Sequence, residues 1–209
     1  MFFNNNINLT EHLKQSGVLK TKEIISAFLK IDRKNFIPSV FLNEAYNDYP
    51  LPIGEGQTIS QPYTVAFMLE LLEPKKGQKI LDIGFGSGWT TCLLAEIVGK
   101  KGKVYAIEII PEVFEFGKKN IEKYDFLKEG RVEIFCADGS KGLKEKSPFD
   151  RILVSAAAKE IPQELINQLE NNGVLVIPDF EGIYKIKKID GKIEKEYYYG
   201  FVFVPLTHK

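Results

Sequence analysis

The chain has 209 residues, enough for one domain with a sizeable buried core. Lys plus Arg equal Asp plus Glu at 28 each, so the formal charge is zero and the overall basic excess of a nucleic-acid binder is missing. With 44% hydrophobic and 27% charged residues and no low-complexity run, the composition is that of an ordinary globular protein.

In chain order, the first 50 residues are predicted to be helical and connecting. Thr21 is placed to cap a helix through KEIISAFLK, where Ile24, Ile25, Phe28 and Leu29 share a face. IDRKNFIP breaks that helix, and YNDYPLPIGEG is expected to be loop, punctuated by Pro50, Pro52, Gly54 and Gly56. A helix follows in VAFMLELLEP. From residue 78 the rhythm changes. QKILDIG is a short apolar run, as in a strand buried on both faces. WTTCLLAEIVG is helical, KVYAIEI a strand, and PEVFEFGKKNIEKY a helix with Pro111 in its first turn. RVEIFCAD and FDRILVSA are strands, IPQELINQLE a helix, and VLVIP a strand after Gly173. This alternation predicts a doubly wound, Rossmann-like α/β sheet. Asp190-Gly191, between two strand-like runs, adds an antiparallel hairpin at the C-terminal end. The lysines of KIKKIDGKIEK (185–195) then protect a sheet edge. A single domain is expected, with residues 1–77 as an N-terminal extension and 78–209 as the sheet and C-terminal strands.

Cys92 and Cys136 sit in apolar surroundings without a CxxC spacing, so both are expected to be reduced and buried. The opening MFFNNNINLTEHL lacks a basic region and a long apolar run, so no leader is expected. No segment approaches the roughly 18 uninterrupted apolar residues of a membrane span. The expectation is a cytoplasmic monomer without nucleic-acid or membrane partners.

The chemistry centres on LDIGFGSGW (81–89), a glycine loop between strand and helix. Gly84, Gly86 and Gly88 permit a tight turn, and the following helix offers unpaired N–H groups. The dinucleotide fingerprint is G-x-G-x-x-G. Here the third glycine comes one position early and Trp89 takes its place. Asp82 just before the loop would repel a pyrophosphate, but suits a ligand with an amino group and a sulfonium charge. Glu108 ends the next strand, where an acid can accept from ribose hydroxyls. Asp138-Gly139 ends the third, where it could meet an adenine edge. Acids at successive strand ends favour S-adenosylmethionine (AdoMet) over NAD.

The histidines, His12 and His208, lie at opposite ends, and no cluster has metal-ligand spacing. No G-x-S-x-G elbow occurs, and no cysteine follows a proline. The strand ending at SAAAKEIP lacks the Pro-Pro-aromatic turn suited to amino groups of bases. A carboxylate acceptor is already ionised at pH 7, with a reference pKa of about 4, and needs no general base. Alignment with the methyl group can alone supply about 7–11 kcal/mol. A site of hydroxyls and backbone donors without histidine therefore matches carboxyl methylation.

The residues resemble the protein-L-isoaspartate (D-aspartate) O-methyltransferase family over nearly the whole chain. The likeness runs through IDRKNFIP (31–38), YNDYPLPIGEGQTISQP (46–62), LDIGFGSG (81–88) and GKVYAIE (102–108). It continues in ADG (137–139), FDRILVSAAAKEIP (149–162), GVLVIP (173–178) and FVPLT (203–207). GQTIS followed by Pro62 is its most specific segment. The resemblance implies AdoMet-dependent methylation of the α-carboxyl of L-isoaspartyl residues in damaged proteins and peptides, with S-adenosyl-L-homocysteine as product and no metal. The ester then collapses to a succinimide. Ser60 matches the family's active-site serine. Implied cofactor contacts are Thr58, Ile59, Asp82, Gly84, Gly86, Ser87, Gly88, Glu108, Ile109, Asp138, Gly139 and Thr207. Ser60 with Ser155, Ala156 and Ala157 should line the substrate cleft.

Phe85, Trp89 and VIPDF (176–180) depart from common family patterns. The first two are expected to reshape the pocket, and the third bears on the loop after residue 178. Ser60 has an alternative role as a helix cap next to Pro62. Two other functions also stand open: methylation of a small-molecule carboxylate, and a non-catalytic AdoMet- or NAD-binding regulator.

Overall fold

The structure, a computed structural model, describes residues 4–207. His208 lies outside them.

The N-terminal extension begins with α1 (Asn6–Gln15), capped by Asn5, whose side chain accepts from the Asn8 amide. The α2 helix (Lys22–Lys30) follows, with Ile24, Ala27 and Phe28 buried. Thr21 holds the N-cap position of α2, but its hydroxyl donates to Glu70 at 2.7 Å instead of capping. IDRKNFIP becomes a 3₁₀ turn at Arg33–Phe36.

The next segment departs from the expected loop. Leu51–Gly54 (β1) and Gln57–Ile59 (β2) form an antiparallel hairpin. Glu55 and Gly56 at its tip have φ of 51° and 68°, the pair of positive angles that matches the strand twist. Leu51, Ile53 and Ile59 are buried, whereas Pro52, Gly54 and Thr58 point outward. Proline and glycine in the sequence hid a strand only four residues long.

Helix α3 (Pro62–Leu72) leads into β3 (Lys79–Ile83), α4 (Trp89–Val98), β4 (Lys103–Glu108) and α5 (Pro111–Ile121). Then come β5 (Val132–Cys136), β6 (Phe149–Val154), α6 (Gln163–Asn167), β7 (Leu169–Pro178), β8 (Gly182–Ile189) and β9 (Lys192–Tyr199). The main sheet has seven strands in the order β5-β4-β3-β6-β7-β8-β9. It is parallel from β5 to β7, and β8 and β9 are antiparallel, as the C-terminal pattern predicted. The order reverses at β3, which has β4 on one side and β6 on the other, so a crevice opens at the C-terminal ends of these strands.

Two details differ from expectation. Helix α6 ends at Asn167, and residues expected to continue it instead start β7, with an irregular register against β6 and a positive φ at Asn172. Cys136 is exposed, because β5 is an edge strand, whereas Cys92 is buried on α4.

Helix α4 is buried nearly all round, as expected for a helix covered on both sides. It packs on α2, where Phe28 meets Trp89 edge-to-face at 5.4 Å. The apolar cluster containing Leu9, Phe28 and Phe36 also contains Ile80, Trp89 and Val104, so the extension and the sheet share a core. Among the described residues, no helix is long and apolar enough to cross a membrane.

Candidate active site

A cleft opens over the C-terminal ends of β3, β4 and β6. Gly84, Phe85, Gly86 and Ser87 from the glycine loop form its floor, with Glu108, Ile109 and Ile110 on one side and Ala137 and Gly139 beyond. Gln57–Ser60 of the hairpin, Ser155 and Ala156 after β6, and Val204–Thr207 complete the walls. A second groove adjoins it, between Tyr63, Thr64 and the extended segment 199–204. Thr58, Ser60, Ser155 and Val204 line both spaces.

Gly84 and Gly86 have φ of 76° and 52°, which explains the residue type. The loop is not an anion cradle. The amides of Gly84 and Phe85 donate to the Ile107 carbonyl, that of Gly86 to Glu108, and that of Gly88 to the Phe85 carbonyl. The Trp89 amide, expected to be open, points to the Ser87 hydroxyl at 3.3 Å.

Glu108 is buried and takes three amides: Gly86 at 3.1 Å on one oxygen, Ile109 at 2.8 Å and Ile110 at 3.0 Å on the other. A carboxylate has about four lone-pair sites. One therefore remains for a ligand, fewer than the two ribose bonds expected from sequence. Its first duty is to tie the glycine loop to the β4–α5 turn.

Several of the sequence-predicted positions differ from expectation. Asp82 does not line the cleft. It is wholly buried behind the loop, where one oxygen accepts from the Thr91 hydroxyl at 2.6 Å and the other has no partner. Burial pushes its pKa up to about 7, with the Thr91 bond opposing and the Glu108 charge adding to the rise. Gly88 is also outside the cleft. With φ of 85° it starts α4, and a Cβ there would lie 2.7 Å from Ile121, so it serves helix packing. Asp138 turns back to accept from the amide and hydroxyl of Ser140, and Gly139 faces the cleft instead. Ala157 lies beside the cleft, and its backbone is taken up by the C-terminal segment: its amide donates to the Val204 carbonyl and its carbonyl accepts from Leu206. Gly54 and Gly56 serve the hairpin's positive φ angles, not a close approach, since a Cβ at either meets nothing within 4 Å.

The atypical residues have local explanations. The Phe85 ring packs on Phe114 of α5. Trp89 sends its indole N–H to the Ile31 carbonyl at 3.3 Å, and so anchors the extension while also lining the cleft. Asp179 accepts from the Glu181 and Gly182 amides and the Tyr197 hydroxyl, which closes the short β7–β8 turn.

Ser60 is half-buried, and its hydroxyl makes no hydrogen bond to another described residue. The capping alternative fails for it. Gln61 holds the N-cap position of α3, and the first-turn amide of Tyr63 donates to Asp48 at 2.8 Å. Sequence reasoning did not single out Gln57, Thr90 or Val204–Leu206 as lining residues: Gln57 and Val204–Leu206 lie in GQTIS and FVPLT, where other positions were matched to the family, and Thr90 follows the glycine loop outside any family motif.

Glu108 is the only charged side chain among the described lining residues, none of which is Lys or Arg. With the amides of Gly84, Phe85, Gly86 and Gly88 already engaged, the lining fits a cationic nucleoside such as AdoMet and disfavours a pyrophosphate. Among the described residues no group of His, Cys, Asp and Glu could hold a metal ion. The family model described as protein-L-isoaspartate(D-aspartate) O-methyltransferase matches residues 4–209. The chain belongs to this family. A protein-L-isoaspartate O-methyltransferase of Pyrobaculum islandicum is 45% identical over 204 residues, covering 96% of this chain and 98% of its own. That of Pyrococcus horikoshii is also 45% identical, over 94% and 90%. The crystal structure of a Plasmodium falciparum protein named for the same activity, in complex with S-adenosyl-L-homocysteine, has a TM-score of 0.89 at 30% identity. It covers 98% of this chain and 99% of that one. For an isoaspartate methyltransferase the added feature of note is the hairpin: Ile53 would lie 3.6 Å from a Cβ on Gly86, so β1–β2 rests directly on the glycine loop.

Proposed function

We propose that the chain transfers the methyl group of AdoMet to the α-carboxyl of L-isoaspartyl residues in damaged proteins and peptides, with Ser60 presenting the acceptor. The observation that carries this reading is the junction. Ser60 and Ser155, with Thr58 beside them, stand where the glycine-loop cleft meets the outer groove, so their hydroxyls face the junction of the two spaces.

Bound AdoMet supplies an electrophilic methyl group on a sulfonium. Gly84, Gly86, Ser87, Glu108, Ile109 and Gly139 hold the donor from the sheet, and Thr58, Ile59 and Thr207 from above. The Ser60 hydroxyl donates to the acceptor carboxylate and sets its direction. Ser155 offers a second hydroxyl from the β6 side. The acceptor is ionised at neutral pH, so the site works without a general base. Ser60 is an orienting donor, not a nucleophile, because no base stands beside it. Ile59 and Val204–Leu206 exclude water, which strengthens the attraction between carboxylate and cation. The resulting ester closes to a succinimide through the substrate's own backbone. The same reading takes the enzyme to be a cytoplasmic monomer, in keeping with its two free cysteines.

Tritiated methyl transfer to an isoaspartyl peptide, with the aspartyl peptide as control, tests the activity. Base-labile label on the first alone is expected. AdoMet binding without transfer would favour a regulator instead. Ser60→Ala should lower kcat by about 100-fold while AdoMet affinity holds. An unchanged kcat/KM would remove Ser60 from the reaction.

A further inference from the structure

Arg33 is fully buried in the extension, far from any sequence motif of the cofactor loop. Its guanidinium reaches four backbone carbonyls. One terminal nitrogen donates to Ala45 at 2.8 Å and Asn47 at 3.3 Å, the other to Tyr49 at 3.0 Å and Ser60 at 3.2 Å. The same group lies 5.5 Å from the Trp89 ring centroid, on the first residue of the helix that leaves the glycine loop. The charge of Asp48 favours the Arg33 cation, and Asp48 also holds the Tyr63 amide three residues beyond Ser60. The segment 60–63 is therefore gripped at both ends, by a cation on a carbonyl and an anion on an amide.

A buried guanidinium is costly unless its donors are met. Four carbonyls from residues 45–49 and 60 meet the two terminal nitrogens, while Nε, also buried, has no partner among the described residues. The planar fork suits this task, whereas an ammonium is a point charge that cannot span the same set. We propose that Arg33 is a positioning residue for methyl transfer: it fixes the Ser60 hydroxyl relative to the glycine loop by binding the Ser60 carbonyl while resting on Trp89. The inference rests on the proposed role of Ser60 as the acceptor's donor.

The test is a double-mutant cycle between Arg33→Lys and Ser60→Ala, reading kcat and KM on an isoaspartyl peptide, Kd for S-adenosyl-L-homocysteine, and Tm. Lysine keeps the charge and loses the fork. Arg33→Lys alone should lower kcat by about 10- to 100-fold, since a misplacement near 1 Å costs that much. The Kd should hold within about twofold, because the cofactor walls are untouched. In the Ser60→Ala background, the same change should cost less than about threefold, since the group being positioned is gone. Multiplicative losses, with Ser60→Ala itself strongly impaired, overturn the clamp and leave the role of Ser60 standing. Full activity of Ser60→Ala overturns both. Activity per folded molecule that is unchanged in Arg33→Lys, with only Tm lowered, assigns Arg33 to stability and overturns the proposal. If Arg33→Lys does not fold, Asp48→Ala releases the other end of the segment and is judged by the same cycle.

Discussion

Asp82 illustrates how one buried side chain links the site to pH. Burial, with the Glu108 charge added, raises its pKa to about 7 against an ordinary 3.8. The folded chain then keeps a proton that the unfolded chain releases. The contribution of this group to stability is complete below pH 3.8, falls as pH rises, and is lost above about 7. Asp82→Asn stays neutral throughout. Its Tm relative to the wild type should therefore improve from pH 5 to about pH 7 and then level off, in protein free of cofactor. A constant difference across that range would show that Asp82 is ionised in the fold. At this scale the sequence was legible in part. It located Glu108 as an acid at a strand end. It could not reveal that Glu108 is mostly engaged by backbone amides, because one of those amides lies 22 residues earlier and arrives only when β3 pairs with β4.

Elements show a similar division. Strands β3, β4 and β6 were readable as apolar runs, because both of their faces are covered. The β1–β2 hairpin was not, since its strands are short and its pleat holds proline and glycine. Helix α5 contains a further example in Gly117. A Cβ there would lie 2.2 Å from the Gly86 carbonyl and 2.6 Å from the Phe85 ring. Alanine normally favours a helix by about 1 kcal/mol over glycine. Here the clash is with backbone, which must move, and overpacking costs about 1–3 kcal/mol. Gly117→Ala should therefore displace the glycine loop and weaken binding of S-adenosyl-L-homocysteine by about tenfold or more. Titration calorimetry checks this, and unaltered affinity would mean that α5 retreats instead of the loop.

At the scale of the whole molecule, the cleft is assembled from segments far apart in the chain: residues 57–60, the strand ends between 83 and 156, and residues 204–207. The last segment is held through Ala157, which donates to Val204 and accepts from Leu206. A ligand that contacts all three should couple them. At about 100 times its Kd, S-adenosyl-L-homocysteine should stabilise the fold by about 2.7 kcal/mol. Hydrogen exchange of the Ala157 and Leu206 amides should slow on binding, along with that of the glycine loop. Protection of the loop alone would separate the C-terminal segment from the cofactor site. The sequence by itself determined the alternating sheet, the turn-forming glycines and the family motifs, because these depend on local pattern and residue chemistry. Only the tertiary structure decided which acid faces the cleft, that Asp82 is buried behind it, and that Arg33 grips Ser60. Those outcomes turn on which lone pairs and amides distant segments bring together, and no local pattern in the chain encodes that meeting.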